Sequence, residues 1–423
     1  MNKEFDKMHS DDLVPFPQVH HGLEDMLKIG ATAEQQKIAA NVLQIFLRQA
    51  IRSSSMYNQA ENGESVASFP WNVVSLAQLA KEIFTAYGGN IVASKADVTD
   101  LTHQSSKRTF MMVSTVSTKD GHQFDFVENV VHELMKRLPR ALEHLAAGRE
   151  PEDLIVYTLG NPANEQGKVS ASFQNNVQAD PFGAYGKLYA AFIEEQLKQD
   201  AAFEGARRKD IEVYGTSMGA SFAAATAAEL LRNGIAEQSG NRGNKPQLHV
   251  KLIAPVAINQ SALHAVQVIV GYLIDGVLEQ FKAVVRTNNK HIPAFNDAVK
   301  STTGFRPQMD PEQAKRKNLV IRDVIWGLMK GREIDPTLRT NIVTGTADLT
   351  MTTPGFALQA AKQQKKSPDS LGAYTVPVQG ASASRQFAIK MMHVPPFMRE
   401  NELKRWQEVA RYIETMQKNV SAP

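Results

Sequence analysis

Short apolar runs bounded by turn residues alternate along most of this chain with longer stretches whose apolar positions recur at helical spacing. The run at 154–158 (LIVYT) predicts an internal parallel strand and that at 211–214 (IEVY) a buried one, and the stretch at 248–256 (LHVKLIAPV) predicts a further strand. The segment at 108–117 (RTFMMVSTVS) is rich in β-branched and apolar residues and predicts another. Further strands are expected at 90–98, 338–344 and 374–379, with Pro377 marking the last as an edge strand or an irregular one. Between them, 126–147 sets Val127, Val130, Val131, Leu134 and Leu138 on one helical face, and 180–198 and 218–231 carry two more helices. Strands alternating with helices predict a mostly parallel α/β sheet.

Two regions depart from that rhythm. Before residue 90 the pattern is helical: Thr32 and Gln35 form a capping-box signature ahead of Ile38, Val42, Ile45, Phe46 and Ile51, and a polar loop at 53–65 leads to a second helix at 76–87. Residues 1–89 are therefore expected to be a helical N-terminal extension, serving as a cap or as a surface for oligomer formation. Residues 259–337 carry helices at 261–286 and 318–330 and no clear strand. They are expected to form a helical cap or lid over the strand tips, set between the core segments 90–258 and 338–423; extra core helices are the plainer alternative. A last amphipathic helix is expected at 400–416.

Composition narrows the function classes. Hydrophobic residues make up 43% of the 423 and charged residues 22%, with a net charge of +3, which is ordinary for a globular protein. No Lys/Arg cluster alternates with aromatics, so no nucleic-acid partner is expected. There are no cysteines, which excludes disulfides, thiolate metal sites and a cysteine nucleophile. His20, His21 and His249 have no ligand spacing, and neither G-x-G-x-x-G nor a P-loop occurs, so neither a metal nor a cofactor is expected. The N-terminus has no apolar h-region, and the most apolar long stretch, 265–285, is broken by Asp275, Glu279 and Lys282. A cytoplasmic protein without stable membrane insertion is expected.

The chemistry is concentrated at 211–231, IEVYGTSMGASFAAATAAELL. A short strand runs straight into Gly215-Thr216-Ser217-Met218-Gly219 and then into an Ala-rich helix. Strand, G-x-S-x-G, helix is the context of a nucleophile elbow, a turn so sharp that it pushes a serine out at the strand tip. A side chain at Gly215 or Gly219 would collide with the neighbouring strand or helix. Ala220, Ser221, Ala223 and Ala224 are small enough for that helix to lie close to the sheet. A serine hydroxyl needs a base, and the base needs an orienting carboxylate. Asp348, after the strand ending in Gly345, and His393, the one histidine downstream of it, follow in the order Ser, Asp, His. Asp323 and Asp335 are rival acids without a strand tip behind them.

With these residues in place, the stretch from about 90 to 420 resembles the α/β-hydrolase superfamily, serine esterases and lipases with a helical cap. The resemblance implies Ser217 as nucleophile, His393 as general base and later acid, and Asp348 as the carboxylate that orients it. It implies an oxyanion hole using the N–H of Met218. The second donor is expected in the loop after the strand at 154–158, from Asn161 or Gly160, since Pro162 has no N–H. The implied reaction is hydrolysis of a carboxylic ester, a small-molecule acyl substrate, through an acyl-serine. An amidase, a peptidase or an acyltransferase would use the same three residues, and a non-catalytic binding module of the same fold is the alternative outside enzymes.

Overall fold

The computed structural model describes residues 32–52, 55–87, 107–114, 122–164, 167–200, 204, 206, 208–216, 218–238, 244–253, 310–330, 338–343, 371–374 and 408–415. Its first strands come from a hairpin. Asn62 and Gly63 both take positive φ, 51° and 84°. That pairing lets a two-residue turn follow the twist of its strands. It joins β1 (Ser55–Glu61) to β2 (Glu64–Ser75), with Glu61 opposite Glu64. The expectation of a helical extension over 1–89, with a polar loop at 53–65, is corrected here in part: Ser55–Glu61 and Glu64–Ser75 are strands, set between the helices Ala33–Arg52 and Leu76–Ala86. β1 lies at the edge and alternates half-buried and exposed positions, so it carries polar residues and reads as a loop.

The remaining strands are β3 (Lys107–Ser114), β4 (Asp153–Leu159), β5 (Lys168–Val169), β6 (Arg208–Thr216), β7 (Glu237–Gln238), β8 (Gln247–Ile253), β9 (Thr340–Val343) and β10 (Leu371–Tyr374). The sheet runs β1-β2-β4-β3-β6-β8-β9-β10, with β5 paired to β2 and β7 to β8. It is mixed. β2 is antiparallel to β1, β4 and β5. All pairs from β4 through β3, β6, β8 and β9 to β10 are parallel. The strands expected at 108–117, 154–158, 211–214, 248–256 and 338–344 are all present with shifted ends. β10 begins earlier than the run at 374–379, of which only Tyr374 is described, and the strand expected at 90–98 lies outside the described residues.

Helices cover both faces. On one lie α1 (Ala33–Arg52), α2 (Leu76–Ala86), α3 (His122–Ala146) and α8 (408–415). Their core joins Ile38, Phe46, Leu79, Leu138 and Ile413 to Leu154, Val156 and Tyr214 of the sheet. The capping box of α1 forms as expected: Gln35 N–H donates to Thr32 Oγ1 and Thr32 N–H to Gln35 Oε1, each at 3.2 Å. Ile38, Val42, Ile45 and Phe46 of α1 are buried in this core, with α1 lying against α2 and β2. Arg137 of α3 reaches Glu212 of β6 with both oxygens in range, at 2.8 and 3.0 Å.

On the opposite face lie α4 (Ala171–Ala179), α5 (Pro181–Gln199), α6 (Met218–Arg232) and α7 (Pro311–Lys330). They enclose Ile155, Tyr157, Ile211, Val213 and Leu252 with Tyr185, Tyr189, Phe192 and Phe222. The alternation along β4 and β6 sends odd residues to this face and even ones to the other, the period-2 pattern of a strand buried on both sides. α7 supplies Val320, Val324 and Leu328 to this core. The described part of the stretch 259–337 is therefore a core helix rather than a detached cap. The helix expected at 261–286 lies outside the described residues.

Candidate active site

The strand order places a crevice. The chain leaves β3 through α3 toward β4 on one side and returns across β3 to β6. It then leaves β6 through α6 toward β8, β9 and β10 on the other side. The connections that follow β3 and β6 therefore diverge, onto opposite faces. In open α/β sheets ligands bind at such a switch point, outside the carboxyl ends of the strands. Ser114 of β3 is opposite Gly215 of β6, so both strands end at the same level.

The G-x-S-x-G stretch lies at that level. β6 ends at Thr216 and α6 begins at Met218, so Ser217 is the one residue between strand and helix. Ser217 itself lies outside the described residues, and its flanks define the turn. A Cβ on Gly215 would stand 2.3 Å from the carbonyl oxygen of Gly219 and 2.7 Å from the Cα of Ala220. No side chain fits there. The small residues expected to bring α6 close to the sheet do so: Gly219, Ala220, Ser221, Ala223 and Ala224 are all buried. Gly186 of α5 sits against Ala225 in the same way, with a Cβ only 2.8 Å from that residue's carbonyl carbon. Met218, half-buried against the core, opens α6, where backbone N–H groups have no partner within the helix. Such a terminus favours developing negative charge.

The residues expected to give the second oxyanion donor stand elsewhere. Ser114 is paired with both Leu159 and Gly215, so β3 lies between β4 and β6. Gly160 and Asn161 thus follow a strand about 10 Å from the elbow strand, two inter-strand spacings away. Gly160 N–H donates to the Pro70 carbonyl of β2 at 2.7 Å, so the N–H expected as an oxyanion donor is engaged within the sheet. Asn161 is 2% exposed, and its Oδ1 accepts from Ala163 N–H at 2.8 Å and from the Tyr185 hydroxyl at 2.7 Å. The Tyr189 hydroxyl donates to the Gly160 carbonyl at 3.1 Å. Burial holds the phenols of both tyrosines protonated well beyond their ordinary range.

Those two tyrosines tie the loop to the elbow helix. The Tyr185 ring stacks on Phe222 of α6, with centroids 4.2 Å apart and planes 10° from parallel, and Tyr189 meets Phe222 edge-on. Sequence reasoning passed over both, although two tyrosines one helical turn apart on α5 were visible. Tyr185→Phe keeps the stack and leaves Asn161 short of one buried donor. We expect it to cost about 1–3 kcal/mol of stability, read from the denaturant midpoint. An unchanged midpoint would show that the hydroxyl carries no load.

Asp348 and His393 lie outside the described residues. Asp348 follows Val343, the end of β9, and His393 falls between β10 and α8. Asp323, the rival acid, is on α7 and paired with Arg322 at 2.7 Å. A different acid–imidazole pair, Asp210 and His249 at 3.7 Å, sits near the start of β6, roughly 20 Å of strand from the elbow. Among the described residues no group of three His, Asp or Glu could hold a metal ion, and no helix is long and apolar enough to cross a membrane.

No protein-family model matches the chain, and no curated protein does. Solved structures to which it is similar are esterases and thioesterases. An esterase from Pyrobaculum calidifontis is 11% identical with a TM-score of 0.33, the match covering 98% of this chain and 99% of that one. A thermophilic esterase from Thermogutta terrifontis is 12% identical with a TM-score of 0.36, covering 86% and 97%. The thioesterase domain from the curacin biosynthetic pathway is 10% identical with a TM-score of 0.35, covering 80% and 97%. With TM-scores this low, the reading of the site rests on the strand order and the elbow.

Proposed function

We propose that this protein is a serine hydrolase of the α/β-hydrolase kind that cleaves a carboxylic ester through an acyl-serine. The observation that carries the reading is the turn at 215–219: a single residue, a serine, stands between a strand and a helix at the switch point, and the glycine before it has no room for a Cβ. Ser217 Oγ attacks the ester carbonyl while His393 takes its proton and Asp348 holds the imidazole in the required tautomer. The tetrahedral oxyanion is met by Met218 N–H. The second donor is assigned to the chain following Ser114, because β3, not β4, adjoins the elbow strand. His393 then protonates the leaving alcohol. Water, deprotonated by the same imidazole, releases the acid and regenerates the serine. The insertion between β8 and β9 supplies the acyl-binding surface, with the hydrophobic part of the substrate its natural ligand.

The test is covalent labelling by a fluorophosphonate, read by intact mass, with His393→Ala beside the wild type. We expect one adduct on the wild-type protein and a labelling rate lower by at least 100-fold in the variant, the contribution of a positioned base. A parallel panel of esters, thioesters and amides assigns the bond cleaved. A folded wild-type protein that takes no label would overturn the reading in favour of a binding module.

A further inference from the structure

Lys317 is 4% exposed on α7, and its Nζ donates to the carbonyl of Asn164 at 2.8 Å. One turn earlier, Gln313 points the same way. Its Oε1 accepts from Val169 N–H at 3.0 Å and its Nε2 donates to the Val169 carbonyl at 3.1 Å, so its amide acts on β5 as a neighbouring strand would. One face of α7 then passes into the core through Val320, Val324 and Leu328. Near its end Gly327 meets Pro181, where a Cβ would lie 2.6 Å from the proline Cγ. The helix is therefore fastened along its length at Asn164, Val169 and Pro181, along the connection from just past the carboxyl end of β4 to the start of α5.

The start of that connection is the loop held from the other side by Tyr185 and Tyr189. Within it, Asn164 N–H donates to the Asn161 carbonyl at 2.9 Å and Gly167 N–H to Asn164 Oδ1 at 2.8 Å. Burying an ammonium is expensive unless it is hydrogen-bonded, and an apolar side chain would fill the same space without that cost. The amine is better explained by what it holds than by packing. β4 ends beside β3, and β3 beside the elbow strand, with Leu159, Ser114 and Gly215 in register, so the loop leaves the sheet at the same end as the elbow and two strands from it.

We infer that Lys317 is a positioning residue for the reaction proposed above: its ammonium fixes the turn at 161–164, just past the end of β4, as one wall of the crevice. On this view α7, although it falls in the insertion between β8 and β9, belongs to the rigid frame of the site and not to a lid. The inference rests on the serine-hydrolase reading.

The experiment compares the full-length wild type with Lys317→Met, Lys317→Arg and Gln313→Ala. It reads steady-state hydrolysis of a soluble aryl ester, fluorophosphonate labelling, and hydrogen exchange at the amides of Asn164, Gly167 and Val169. In Lys317→Met those amides exchange at least tenfold faster, and KM rises about tenfold with kcat retained, the scale of one lost hydrogen bond to a charged group. Lys317→Arg recovers most of the KM, because a guanidinium can donate to the same carbonyl. Gln313→Ala frees Val169 and shifts KM in the same direction; should Lys317→Met not fold, these two variants decide. A purely structural lysine would lower the denaturation midpoint and leave KM alone. Loosened amides with wild-type KM and labelling therefore overturn the inference, and so does a raised KM with unchanged exchange. If the wild type itself takes no label, the serine-hydrolase reading fails and this inference falls with it. That outcome is distinct from a wild type and a Lys317→Met variant that label alike.

Discussion

Ser217→Ala is expected to lower ester hydrolysis by roughly 10⁴- to 10⁶-fold and to abolish fluorophosphonate labelling, the loss found when a triad nucleophile is removed. The magnitude follows from what the side chain does. Without Oγ no acyl-enzyme forms, and His393 is left with no hydroxyl to deprotonate. The oxyanion donors and the substrate contacts remain, and they sustain a residual rate above that in water. Asp348→Asn should fall short of this, at roughly 10⁴-fold, because the imidazole is then held in the wrong tautomer while the nucleophile survives. Losing either partner after the serine is already gone should cost little more, since the three act as one unit. Thermal unfolding of Ser217→Ala should match the wild type, which separates lost chemistry from lost fold. Retention of ester hydrolysis in a folded Ser217→Ala protein would end the proposal, and the surviving nucleophile would have to be sought elsewhere in the crevice.

The parts of this fold that the sequence announced are those whose signal is local. β4 and β6 are buried on both faces, so they appear as apolar runs, and β8 buries Leu248, Val250 and Leu252 on one face, so it appears as an alternation. Thr32 and Gln35 satisfy each other within a single turn, so their capping box is visible in four letters. The elbow is legible for the same reason: Gly215 and Gly219, which meet in space, fall within five residues of each other in the sequence. β1 and β2 were hidden by composition. An edge strand with one wet face has polar residues at alternate positions, and the helix-like stretches on either side suggested a loop. The hairpin nevertheless carried a strong local signal, Asn62-Gly63, which the helical reading passed over.

Strand order left no local trace, and the second oxyanion donor was expected after β4, a strand that does not adjoin the elbow strand. In the sequence, the loop at 160–164 follows the last long strand before the elbow strand, with β5, α4 and α5 between. In the sheet, β3 stands between them. Chain order is not sheet order when a crossover passes over a strand, and nothing in Leu159 or Gly160 reports that it does. The role of α7 was obscured similarly. Its contacts with Asn164, Val169 and Pro181 are made with residues far earlier in the chain, so its own amphipathic pattern could not say whether it covered the strand tips or joined the core.

Gly215→Ala tests the elbow from the side of the backbone, and it is expected to lose both stability and labelling. The atoms that an added methyl would meet are the carbonyl oxygen and carbon of Gly219, at 2.3 and 2.6 Å, and the Cα of Ala220, at 2.7 Å. All three are main chain, so no rotamer change relieves the contact. Either the end of β6 or the start of α6 must move. β6 is paired on both sides, to β3 and to β8. α6 is held by the Tyr185–Phe222 stack and by the close approach of Gly186 to Ala225. Overpacking of this kind typically costs about 1–3 kcal/mol, and a clash confined to main chain belongs at the upper end. A shift of even 1 Å at the elbow would carry Ser217 and Met218 N–H out of line with the reacting carbonyl, a misplacement that costs about 100-fold in rate. Gly148→Ala is the matched control. Gly148 has a φ of 66° with nothing within 4 Å of its missing Cβ. It should suffer only the conformational penalty of about 1–2 kcal/mol and leave labelling unchanged. If Gly215→Ala loses no more stability than Gly148→Ala and still takes label at the wild-type rate, the turn at 215–219 is not the crowded elbow described here, and Ser217 has no structural claim to be the nucleophile.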